Sequence, residues 1–124
     1  MDYYDHGPEL VARTRAYALK IIQFYAAMPR TPVAQVLGKQ LLRSGTSVGA
    51  QYREGQRAKS IADFVSKSEG ALQEIEESAY WLELISESGT ADAATVKDIY
   101  AETRQLISIF MTLVKTAKVS RART

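Results

Sequence analysis

Apolar residues recur at alternating steps of three and four along almost the whole chain. In the first stretch they are Leu10, Thr14, Tyr17, Ile21, Phe24 and Met28 (Thr14 filling one register position). In the third they are Ile61, Val65, Ser68, Leu72, Ile75, Ala79 and Leu82, and in the fourth Val96, Ile99, Thr103, Leu106, Phe110, Leu113 and Ala117. This is the period of one helix face, and it excludes strands, whose side chains alternate every second residue. Sustained over several turns, it is the heptad spacing of helices packed in a bundle.

Breakers divide the pattern into four segments. Pro8 suits a helix start, while Pro29 and Pro32 end the first helix because an interior proline removes a backbone hydrogen bond. Thr31 before Pro32 reads as an N-cap, Ser60 with Asp63 as a capping box, Gly89 as a C-terminal stop and Thr90 or Asp92 as the last N-cap. The expected helices span about 9–28, 32–57, 60–88 and 91–117, followed by a basic tail, 118–124, with little to bury. Links of a few residues force sequential neighbours to be antiparallel. The 124 residues therefore predict an all-α, up-down-up-down antiparallel four-helix bundle in a single domain.

The second segment carries Ala34, Leu37, Leu41, Gly45, Val48 and Tyr52 on its seam. Its centre, Ser44-Gly45-Thr46-Ser47-Val48-Gly49-Ala50, places two glycines inside a helix, each costing about 1 kcal/mol relative to alanine. Close approach of another helix is the usual compensation. A phosphate-binding loop is the functional alternative, but neither the G-x-x-x-x-G-K-[S/T] spacing nor a preceding strand accompanies it.

Little points to catalysis. The chain has no Cys and one His, so thiolate chemistry and multi-imidazole metal sites are out of reach. Glu74-x-x-Glu77 is present, but the Glu-x-x-His of bundle di-metal sites is not, and His6 precedes the first helix. Ser44, Thr46 and Ser47 have no nearby His. The expectation is a protein that is not an enzyme and needs no cofactor. No apolar run approaches the roughly 20 residues of a membrane span, and the first residues lack a signal-peptide pattern, so a cytoplasmic setting without membrane contact is expected.

Charge is the informative feature. The net charge is only +2, yet residues 30–59 hold six bases against one acid, residues 60–102 ten acids against two bases, and residues 103–124 five bases and no acid. Neighbouring helices can pair these charges along their rims, or unpaired bases can form a patch for a polyanion. The cations of such a patch are Lys39, Arg43, Arg53, Arg57 and Lys59, with Lys115, Lys118, Arg121 and Arg123. Because an unpaired buried charge is costly, Arg43 or Arg53 is expected to pair with Glu74 or Glu77 across helices.

A second apolar edge runs along the outer helices: Val11, Ala18, Ile22 and Tyr25 on the first, Tyr100, Ile107, Met111 and Val114 on the fourth. It reads either as a wide bundle stripe or as a homo-oligomer interface.

The stretch Leu37-Gly38-Lys39-Gln40-Leu41-Leu42-Arg43-Ser44-Gly45-Thr46-Ser47-Val48-Gly49-Ala50-Gln51-Tyr52-Arg53-Glu54-Gly55 carries a specific signature. So does Asp63-Phe64 with Lys67, Ala71-Leu72-Gln73-Glu74-Ile75-Glu76-Glu77 and Trp81-Leu82. Together they resemble the bacterial four-helix-bundle family of ribosomal-RNA intervening-sequence proteins, which includes the accessory variability protein of diversity-generating retroelements. The resemblance covers about residues 10–117, with Gln51 where the family usually has Asn. It implies an up-down bundle assembled as a homopentamer and, for the retroelement members, binding to a reverse transcriptase and to nucleic acid. It implies no catalytic residues. Two functions from different classes follow: a non-catalytic oligomer that binds RNA or DNA, and a protein-interaction scaffold that binds neither.

Overall fold

The computed structural model describes residues 7–123. Four helices account for nearly all of them: α1 (Gly7–Ala27), α2 (Pro32–Gln56), α3 (Ile61–Glu87) and α4 (Ala93–Ala122). No strand occurs among the described residues. The helix ends follow the local chemistry. Thr31 accepts from the Ala34 N–H at 3.2 Å and Pro32 follows it. Ser60 accepts from the Asp63 N–H at 3.0 Å, and Asp92 from the Thr95 N–H at 3.3 Å. At the end of α3, Gly89 adopts φ 68°, the left-handed conformation that only glycine takes cheaply. There the Gly89 N–H donates to Ser86 O and the Thr90 N–H to Ile85 O, both at 3.1 Å, closing a Schellman motif.

The expected tail is corrected. α4 does not stop with its apolar seam at Ala117 but continues through Ala122. Residues 118–122 contain no Gly or Pro, so nothing interrupts the backbone ladder, and Lys118 is tied to Glu69 on α3 at 2.8 Å. Loss of apolar periodicity marks where burial ends, not where a helix ends.

The predicted seams form the core. All six residues of the first and all seven of the fourth are buried. On α2 the structure buries Gly38 where the pattern expected Leu37, which is half-buried, and on α3 Ile61 and Leu72 are half-buried at the margin. Neighbours run antiparallel: Tyr25 lies against Gly38, Ile21 against Gly45 and Thr14 against Gly49, while Gly55 faces Phe64 and Lys67 of α3. The α2 glycines thus serve close helix approach. A β-carbon on Gly45 would lie 2.8 Å from Ile21 Cγ1, and one on Gly49 3.1 Å from Thr14 Oγ1.

One buried polar layer draws on all four helices, as two hydrogen-bonded pairs. Ser44 of α2 meets Ser78 of α3 at 2.7 Å, and Tyr17 of α1 meets Thr103 of α4 at 2.7 Å. The Ser78 hydroxyl lies beside that of Tyr17, and Thr103 donates to Ile99 O at 2.8 Å. Ser78 donates to Glu74 O at 2.9 Å and so accepts from Ser44, while Thr103, donating to Ile99 O, accepts from Tyr17. Burial pushes the Tyr17 hydroxyl up to about 12, so it stays protonated and able to donate.

Candidate nucleic-acid interface

The up-down topology gathers bases that are distant in sequence. The C-termini of α2 and α4 and the N-terminus of α3 share one end of the bundle, as the Lys67–Glu54 and Lys118–Glu69 pairs demonstrate. Arg53, Arg57 and Lys59 arrive there from the end of α2 and its loop. Lys115, Lys118, Arg121 and Arg123 arrive from the last turns of α4. All seven are exposed. Lys67, which sequence reasoning missed, joins them. It sits in an acid-rich stretch, but its place two turns into α3 puts it beside the end of α2. At this end, eight bases face four acids among the described residues: Glu9, Glu54, Asp63 and Glu69. Two helix N-termini and two C-termini meet there, so their dipoles oppose one another and side-chain charge decides the sign.

The predicted cations have different surroundings. Arg53, Arg57, Lys59, Lys115 and Arg123 form no salt bridge with any described residue. Lys118 is paired to Glu69. Lys39 and Arg43 lie in the opposite half of α2, away from the cluster. Arg43 bridges Glu74 and Glu77 of α3, each at 3.3 Å, which fulfils the cross-helix expectation. Burial, followed by the neighbouring Glu77, raises the Glu74 carboxyl above its ordinary value. Its hydrogen bond with Glu74, then Arg43, lowers Glu77. Arg43 is therefore committed to the α2–α3 contact. A second cross-helix pair, missed in sequence, joins Arg13 of α1 to Glu102 of α4 at 2.9 and 2.7 Å, with Gln105 accepting from the same guanidinium.

The opposite end carries an open groove of about 890 Å³ between the end of α1 and the start of α4. Phe24, Met28 and Ile99 form its apolar lining, and Lys20, Asp92 and Asp98 stand among its polar groups. Among the described residues no three His, Cys, Asp or Glu gather as metal ligands, and no helix is long and apolar enough to cross a membrane. His6 lies outside the described residues.

The second apolar edge divides in the structure. Val114 is corrected: at 7% exposure it is buried within the chain's own core. Val11, Ala18, Tyr25, Tyr100 and Ile107 are half-buried. Tyr25 is held by donating to Gln35 at 3.0 Å and Tyr100 by donating to Glu83 at 2.8 Å. Ile22 and Met111 remain open at 44% and 56% exposure, joined by Leu19 at 49%, which the spacing did not single out.

The comparisons with known proteins agree with this architecture. The family described as 23S rRNA-intervening sequence protein matches residues 9–112. A crystal structure of a protein of unknown function from the S23 ribosomal protein family of Bacteroides thetaiotaomicron superposes with a TM-score of 0.82. The two are 30% identical over 88% of this chain and 97% of that one. No curated protein matches significantly.

Proposed function

Since the chain belongs to the 23S rRNA-intervening sequence protein family, we propose that it is a non-catalytic, multi-copy RNA-binding protein whose basic bundle end meets the phosphate backbone. One observation carries this reading: bases from two distant stretches converge on one end, where Arg53, Arg57 and Lys59 are exposed and bound to no described acid. Such a patch reads charge density rather than base edges, so its binding is weakly sequence-specific and falls steeply with salt. Exposed Leu19, Ile22 and Met111 support association of several copies, and repeating a modest patch multiplies its affinity.

The test is an RNA mobility shift at about 50 and 200 mM salt, a range over which phosphate-directed binding weakens strongly. Binding that fades at the higher salt and is lost in Arg57→Glu/Lys59→Glu supports the proposal. No shift at the lower salt sinks it. The second reading, a protein-interaction scaffold, draws on those exposed apolar residues and the acidic surface of α3. It is the one left standing if RNA does not bind while light scattering reports an oligomer.

A further inference from the structure

We propose that Glu69 and Glu54 act as built-in competitors of RNA, occupying two lysines of the basic end and holding its affinity below what its cations can supply. This rests on the RNA-binding reading of that end. Lys118 Nζ on α4 lies 2.8 Å from Glu69 on α3, both side chains 47% exposed. Lys67 Nζ on α3 lies 3.8 Å from Glu54 on α2, also in contact with solvent. Ion pairs this exposed add little to a fold, because water and salt already solvate both partners. The helices they join are held instead by buried residues, among them Phe64, Val65, Phe110 and Ala117. Arg43 and Arg13, by contrast, each hold an acid that is only 12% or 20% exposed, in the middle of the bundle. Pairs at the basic end are therefore dispensable for folding but placed where a phosphate would arrive.

The consequence is a competition. A phosphate that takes Lys118 must break its pair and then sit beside the bare Glu69 carboxylate. Glu54 opposes contact with Lys67 in the same way. Dense, continuous phosphate, as on a folded RNA, meets Arg53, Arg57 and Lys59, which pair with no described acid, first and displaces the carboxylates by proximity. An isolated phosphate cannot. Neutralising a carboxylate frees one cation and removes one repulsion, so binding tightens and each new phosphate contact steepens the salt dependence.

The experiment measures binding of a fluorescein-labelled RNA hairpin to the full chain across about 50–200 mM potassium chloride. Wild type is compared with Glu69→Gln, Glu54→Gln, the double variant, and Glu87→Gln. The last makes the same charge change at the other end of α3, where Glu87 is exposed. Circular dichroism verifies equal helicity. Glu69→Gln is expected to tighten binding about three- to tenfold at the lowest salt, and the double variant more. The log–log salt slope should steepen by roughly 0.7–0.9 for each phosphate gained, while Glu87→Gln stays within about twofold of wild type. If wild type binds but Glu69→Gln and Glu54→Gln are no tighter than Glu87→Gln, the competition is overturned and the RNA reading stands. If none of the proteins binds, both fall.

Discussion

Helix α2 meets its two neighbours in opposite ways. Toward α1 it presents glycine: Gly38, Gly45 and Gly49 let Tyr25, Ile21 and Thr14 press against bare backbone. Toward α3 it presents directed polar groups: Ser44 on Ser78, and Arg43 on Glu74 and Glu77. The glycine side fixes how near two helices come but says little about register, because dispersion is non-directional. The polar side fixes register, because a one-turn slip would leave buried hydroxyls unpaired. One helix thus sets distance on one side and alignment on the other. In the same buried layer a second pair, Tyr17 with Thr103, aligns α1 with α4.

The glycine side should break first. A methyl at Gly45 meets Ile21 at 2.8–3.3 Å, too close for a buried branched side chain to yield freely. Overpacking of this kind costs about 1–3 kcal/mol, and the helix-propensity gain of alanine returns about 1. Gly45→Ala is therefore expected to lower the stability measured by urea unfolding by up to about 2 kcal/mol. Adding Ile21→Ala should recover part of the clash in a double-mutant cycle, whereas purely additive losses would deny the contact.

On the register side, Tyr17→Phe removes the hydroxyl at the centre of the polar layer. Thr103 keeps its bond to Ile99 O and Ser78 its bond to Glu74 O, so the expected loss is about 1 kcal/mol, the net worth of a hydrogen bond. The variant also carries a pH signature. A tyrosine whose folded value is raised to about 12 favours folding below its unfolded value near 10. That contribution is lost as pH rises from there through the folded value, because only the unfolded chain ionises easily. Tyr17→Phe should therefore flatten the fall in melting temperature above about pH 10. An unchanged alkaline profile would mean that the hydroxyl is not held as described.

Alanine at Gly70 sharpens the contrast with an effect of opposite sign. Here the three atoms nearest a new β-carbon all belong to the amide end of Gln51, a flexible side chain that can swing away. Gly70→Ala keeps the propensity gain without a fixed clash, so stability should rise by up to about 1 kcal/mol. A loss comparable to that of Gly45→Ala would show that both sides of α2 are equally intolerant, and the distinction would fail.

These sites differ in how far the sequence reveals them. Seam residues such as Ile21, Leu41, Ile75 and Phe110 are legible because apolar period and burial share one cause. Close approach at Gly45 and Gly49 is legible because interior glycines demand compensation, and the Arg43 pair because a cation faces an acid-rich helix. The Tyr17–Thr103 bond spans 86 positions and the Arg13–Glu102 pair 89, so no local pattern announces either. The basic end is half legible. Its cations stand out as runs, but their convergence depends on the antiparallel turns, and Lys67 is hidden by the acids beside it in sequence. Leu19 and the helical course of 118–122 escaped for a related reason: exposed positions leave no periodic trace.

The smallest expected effect tests whether the ion pair shares the register role of the hydroxyls. Arg43 is 53% exposed, so Arg43→Met should cost no more than about 1 kcal/mol at neutral pH, and less in high salt. Glu77, held low by its hydrogen bond with Glu74 and by Arg43, favours folding above its unfolded value. That stability disappears as pH falls through its lowered folded value. Glu74, raised by burial, works the other way and gains relative stability on protonation. The deficit of Arg43→Met relative to wild type should therefore be greatest at neutral pH and close as the two carboxyls neutralise in acid, a course that thermal melts at stepped pH can follow. A deficit that persists unchanged in acid would assign Arg43 a packing role through its aliphatic stem, leaving alignment on this side of α2 to Ser44 and Ser78 alone.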